Sequence, residues 1–183
     1  MISVRLADLA EAGETAVLRP VTAEWTATNS TMRRLELVVG SDVEAQCRSL
    51  GELPVGSAVV TSAGRLPAEY LIHVVVRSVE QPVTPGGVQR ALRNGLRRVD
   101  EWGIGSLALP PLGTGAGNLD AEESAEAMVP ILVEYLRSEG RSARIAILVE
   151  SEYERDAFEH ELRRHGLTEA SPSANQNQDA GTI

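Results

Sequence analysis

The sequence predicts an α/β protein, a three-layer α/β/α sandwich with a mixed central sheet. Three observations carry this expectation. In the second half, strand-like runs alternate with helical stripes of roughly 12 to 17 residues, the pattern of helices laid on both faces of a sheet. The strand runs themselves are short and apolar, as in LIHVVV (71–76) and IAILV (145–149). With 183 residues, 43% hydrophobic and 23% charged, the chain has the size and balance of one globular domain with a sizeable core.

Each element follows from local pattern. VRL (4–6) and TAVLRPV (15–21) read as strands joined by ADLAEAGE, where Gly13 suits a turn. From residue 35 the period becomes helical: Leu35, Val38, Val39, Val43, Cys47 and Leu50 share a stripe. Ser41 and Glu44 have capping-box spacing after Gly40, so two short helices or one broken helix fit equally. SAVVTSA (57–63) and YLIHVVV (70–76) are β-rich runs separated by Gly64, Leu66 and Pro67, and 82–87 resets the chain. Val88, Leu92, Leu96, Val99 and Gly103 form one helical stripe with Arg90, Arg93, Arg97 and Arg98 outside it. The strand SLALP (106–110) and a glycine turn lead to a helix opened by Asp120 with Glu123 three residues on. Its buried face is Ala125, Met128, Val129, Leu132, Val133 and Leu136, with a kink expected at Pro130. A buried strand, ARIAILV (143–149), precedes a last helix over 153–165 carrying Ala157, Phe158 and Leu162. The expected domain is 1–168, and the polar, amide-rich 169–183 is expected to be a flexible tail.

Composition removes several function classes. No apolar run approaches the roughly 18 residues of a membrane span, and no secretory signal pattern is read, so a cytoplasmic protein without a membrane partner is expected. One cysteine, Cys47, and three scattered histidines supply no zinc-ligand spacing, so no metal and no cofactor are expected. All 17 basic residues are arginine, against 26 acidic ones, which rules out P-loop and Schiff-base lysine chemistry. A net charge of −9 disfavours duplex nucleic acid. It still permits a small anion held by backbone amides.

PPLGTGAG (110–117) leaves the C-terminal end of a predicted strand and enters a predicted helix. Ligands of open α/β sheets bind there, and a glycine turn lets amides and a helix N-terminus face a phosphate. The same glycines also suit a plain tight turn. A dinucleotide fingerprint is a poor fit, since the GxGxxG spacing is absent and Glu150 is too distant from Gly113 to serve as its acid.

Three segments in order, LPVGSAVVTSAGRLPAEYLIH (53–73), the helix–strand–PPLGTGAG passage (88–117) and ILVESEYERDAF (147–158), are together similar to a macro domain, the α/β/α module that binds ADP-ribose. The resemblance spans about 2–165. It implies that Gly113, Thr114, Gly115, Ala116 and Gly117 wrap the diphosphate and the ribose distal to adenine. It implies that Asp8 accepts a hydrogen bond from the adenine amino group, although a solvated turn acid explains that residue equally. Tyr153 matches an aromatic bordering the adenine, with a core or rim tyrosine as the alternative. Gly56 and Thr61 read as architectural, Phe158 as core, and His73 as a hydrogen-bonded core histidine.

The chain departs from the family pattern after its second strand. Where macro domains carry Asn-Ala-Ala-Asn and a glycine-rich loop, this strand ends Arg19-Pro20-Val21-Thr22, and no glycine occurs between Gly13 and Gly40. Half of a backbone phosphate cradle is therefore rebuilt or missing. Arg19, Arg33 and Arg34 are candidates to replace the lost donors with guanidinium groups. The expected function is binding of ADP-ribose or a related adenine nucleotide. The alternatives are an ADP-ribosyl or O-acetyl-ADP-ribose hydrolase, for which Glu24, Asn29, Glu36 and Asp42 are the available polar groups, and a ligand-free scaffold for protein contacts.

Overall fold

The structure, a computed structural model, describes residues 1–167; the expected tail 169–183 lies outside the described residues. Strands β1 (Ile2–Leu6), β2 (Ala16–Thr22), β3 (Ala58–Ser62), β4 (Tyr70–Arg77), β5 (Ser106–Leu109) and β6 (Arg144–Val149) form one sheet in the order β1-β6-β5-β2-β4-β3. All neighbours pair parallel except β3, which runs antiparallel on β4 with Val60 opposite Ile72. The helices are α1 (Ser30–Val39), α2 (Ser41–Ser49), α3 (Pro85–Glu101), α4 (Ala121–Arg137) and α5 (Glu152–Arg164).

The period-2 alternation of the strands creates two cores. Leu18, Ile72, Val74, Leu107, Leu109, Ile145 and Ile147 face α3, α4 and α5, where Val88, Leu92, Met128, Leu132 and Phe158 meet them. Val17, Val21, Leu71, Val75, Ala108 and Leu148 face the opposite way, onto Met32, Leu35, Val39, Val43 and Cys47 of α1 and α2. The molecule is thus the expected three-layer α/β/α sandwich. Each fully buried Leu, Ile or Phe contributes about 1.5–3 kcal/mol, so both layers are held by area rather than by a few polar contacts.

The region after β2 resolves into two helices, but not as its spacing suggested. Gly40, at φ 99°, ends α1 and is also the N-cap of α2, with no side-chain cap. Ser41 is therefore already inside α2, and Glu44 pairs with Arg48 instead of completing a capping box. The exposed α1 carbonyls of Leu37 and Val38 are satisfied by Arg65, at 3.1 Å each. Val38 and Leu50 are exposed rather than part of the buried stripe. Gly103 likewise lies beyond α3, at φ 62°. The Asp120–Glu123 capping box is present in both directions, and α4 continues through Pro130 to Arg137.

Candidate functional site

The sheet order places a switch point between β2 and β5, which are neighbours in space. The chain leaves β2 toward β4 through α1 and α2 on one face, and leaves β5 toward β6 through α4 on the other. Diverging connections open a crevice beyond the carboxyl ends of such strands. Here that crevice is a cleft whose walls include Ala7, Leu9, Asn29, Thr31, Thr114 and Glu150.

One wall is the segment after β2, which turns back as a tight hairpin. Val21 bridges Ala27 in antiparallel fashion, and the Thr22 amide donates to the Thr26 carbonyl at 3.0 Å. Trp25 holds the left-handed position, φ 67°, where turns normally use glycine, and its ring is anchored by an Nε1 bond to the Gly51 carbonyl at 2.7 Å. The amides of Thr22, Ala23, Trp25 and Thr26 all donate within the protein. The hairpin tip thus has these four backbone donors committed. Asn29 closes the segment by capping α1 through the Met32 amide at 2.9 Å, and its side-chain amide donates to the Thr114 carbonyl at 3.4 Å. The buried Thr28 hydroxyl beside it has no hydrogen-bond partner among the described residues.

The facing wall is the glycine turn between β5 and α4. Gly113, Gly115 and Gly117 have φ of 78°, 135° and 76°. A Cβ at Gly113 would lie 2.8 Å from Val88 and 2.9 Å from Val83, so both conformation and packing require glycine there. Gly117 meets nothing within 4 Å. Among the described residues, the amides of Ala116 and Gly117 donate to no protein acceptor. The turn ends at the capped N-terminus of α4. Free amides and left-handed glycines together form the kind of concave anion nest that phosphate occupies.

Beneath the hairpin lies a buried polar chain. Arg19, 2% exposed, donates from Nε to His73 Nδ1 at 2.9 Å and from Nη1 to Glu36 Oε1 at 3.1 Å. Because Nδ1 accepts, the His73 proton resides on Nε2 and is donated to Thr61 Oγ1 at 2.8 Å; Thr61 in turn donates to the Ser62 carbonyl at 2.9 Å. Burial first, and the Arg19 charge second, hold the His73 pKa well below the ordinary histidine value. Cys47 Sγ lies 3.6 Å from the same Nε2, but burial pushes the thiol pKa up. A neutral imidazole donating its only proton elsewhere cannot activate that thiol, so the pair is structural. Burial likewise raises Glu36, opposed by Arg19. Arg19 is thereby removed from the candidates for gripping a phosphate.

The remaining residues expected at the site fall as follows. Asp8 is exposed between the cleft-lining Ala7 and Leu9, and one carboxylate oxygen caps the turn at Leu9–Glu11 through the Ala10 amide, 2.9 Å. Tyr153 is 54% exposed on α5 and faces the groove toward α4. Its phenol titrates above the ordinary tyrosine value through loss of hydration, then through Glu122, Asp120 and Glu123. Of Glu24, Asn29, Glu36 and Asp42, Asn29 alone lines the cleft, and an amide is no general base. Sequence reading missed Thr31 and Glu150 as cleft residues, and no local pattern marks them. The cleft encloses about 30 Å³, an order of magnitude below the roughly 300–1,000 Å³ of a ligand site. The broader α4–α5 groove, about 540 Å³, is an open trough walled by Glu122, Glu126 and Asp156, and has neither the glycine turn nor strand ends.

A family model described as Macro domain matches residues 32–128. An uncharacterized protein of Aeropyrum pernix is 31% identical over 128 residues, 68% of this chain and 67% of its own. A point mutant of the Oceanobacillus iheyensis macrodomain, solved with ADPR, superposes with a TM-score of 0.81 at 17% identity, covering 90% of this chain and 92% of that one. The same macrodomain with ADP gives a TM-score of 0.81, also at 17% identity, covering 90% of each chain.

Proposed function

The chain belongs to the macro domain family, and on that premise we propose that it binds ADP-ribose or a related adenine nucleotide in the cleft between β2 and β5. The observation that carries this reading is the glycine turn, whose left-handed residues 113, 115 and 117 leave the amides of Ala116 and Gly117 without a protein acceptor at the sheet's switch point. In this assignment Gly113–Gly117 hold the diphosphate, with Thr114 and Ala116 inside the same turn. Asp8 reads the adenine amino group with its uncommitted oxygen, and Tyr153 borders the base from α5. Solved family members bound to ADPR and ADP support the ligand class. The cleft must widen to admit it, because its present volume is close to that of one water molecule, about 30 Å³.

Calorimetric titration with ADP-ribose, ADP and AMP tests the assignment. Micromolar binding of ADP-ribose, about −8 kcal/mol, is expected. Gly115→Glu and Ala116→Glu should abolish it; Ala116 is not at positive φ, so the second variant fills the nest without straining the turn. Absence of heat with all three ligands would turn the assignment toward a scaffold for protein contacts.

A further inference from the structure

Glu150, the first residue after β6, lies in the wall of the cleft and binds two side chains of α1 at once. Thr31 Oγ1 donates to its Oε2 at 2.6 Å, and Arg34 Nη2 donates to its Oε1. A carboxylate bridged by a hydroxyl and a guanidinium occupies the donor set that a phosphate oxygen pair would use. We propose that Glu150 is a built-in competitor for the ligand's phosphate, and that binding exchanges this carboxylate for the phosphate on Thr31 and Arg34. The proposal rests on the nucleotide reading above and adds to it a residue that sets the affinity.

Three features of the structure support exchange. The amides of Thr22, Ala23, Trp25 and Thr26 in the hairpin that replaces the first glycine loop are committed, while Thr31 stands in the cleft wall as a side-chain donor and Arg34 reaches that wall through Glu150. The ion pair is half open to water, with side-chain exposures of 58% for Arg34 and 44% for Glu150. Such pairs are held weakly and are easily traded for another anion. Finally, two carboxylates stand in the cleft wall, Glu150 after β6 and Glu154 of α5, the latter accepting from the Glu150 amide at 2.8 Å. An anion entering that space meets repulsion until Glu150 swings out, and the same movement enlarges the cleft.

The test is titration of the wild type, Glu150→Gln, Arg34→Ala and the double variant with ADP-ribose, adenosine and inorganic pyrophosphate, with thermal melts as a check on folding. Weakening the competitor raises the competent fraction, so Glu150→Gln should bind ADP-ribose about tenfold more tightly. Adenosine affinity should not change, and the gain should vanish when Arg34 is absent. ADP-ribose binding without a gain, a gain shared by adenosine, or a gain that survives Arg34→Ala overturns the exchange while leaving the nucleotide reading intact. If no variant takes ADP-ribose but Glu150→Gln gains pyrophosphate affinity through Arg34, the exchange holds and the nucleotide reading falls. No binding of either anion by any variant removes both.

Discussion

At the scale of single residues, the chain Glu36–Arg19–His73–Thr61 sets the chemistry of the interior below the cleft. His73 is kept neutral, so the unfolded chain binds a proton more readily than the folded one below the ordinary value of 6.5. Stability from this group is complete above that value and is lost as pH falls toward the lower folded pKa. The melting temperature should therefore drop between about pH 7 and pH 5, and His73→Gln should flatten that slope. An equal slope in the variant would assign the effect to another group. Removing Arg19 leaves His73 Nδ1 and Glu36 without their donor; Arg19→Met should cost about 2–3 kcal/mol in urea unfolding, since Glu36 can still reach water. That His73 is a satisfied core residue was legible from its place in an apolar strand. Its partner was not, because Arg19 stands 54 residues away and only β2–β4 pairing brings them together.

At the scale of elements, period and caps foretold most of the architecture. The stripes of α3, α4 and α5 and the six apolar runs all became the expected helices and strands. The α1–α2 junction did not follow its capping pattern, because a one-residue joint at Gly40 leaves no position for a capping side chain. This joint is supported from outside by the Gly64 turn. A Cβ at Gly64, whose φ is 61°, would run into the Val39 carbonyl oxygen, which is backbone and cannot yield. Gly64→Ala should therefore destabilise by about 2 kcal/mol or more, measured by chemical unfolding. Asp120→Ala removes one side of the α4 capping box and should cost about 1 kcal/mol. A smaller loss at Gly64 than at Asp120 would mean that the joint relaxes freely. The glycine turn was readable because its spacing is local. The Glu150 clasp was not, since Thr31 and Arg34 lie 119 and 116 residues from it.

At the scale of the whole molecule, a net charge of −9 surrounds a site assigned to an anion. The long-range field opposes approach, and salt screens it. The association rate for ADP-ribose should therefore rise, by about twofold, as salt is raised from low to physiological strength. A steep fall measured by stopped flow would show that local arginines govern capture instead. The order β1-β6-β5-β2-β4-β3 has a second consequence, for biosynthesis. Among the described residues β1 pairs with β6 alone, so on a translating ribosome the first of these six strands must wait for the last. Until residues 145–149 have cleared the exit tunnel, β1 lacks its partner strand, and during that interval its unpaired backbone groups are a free edge open to pairing with another chain.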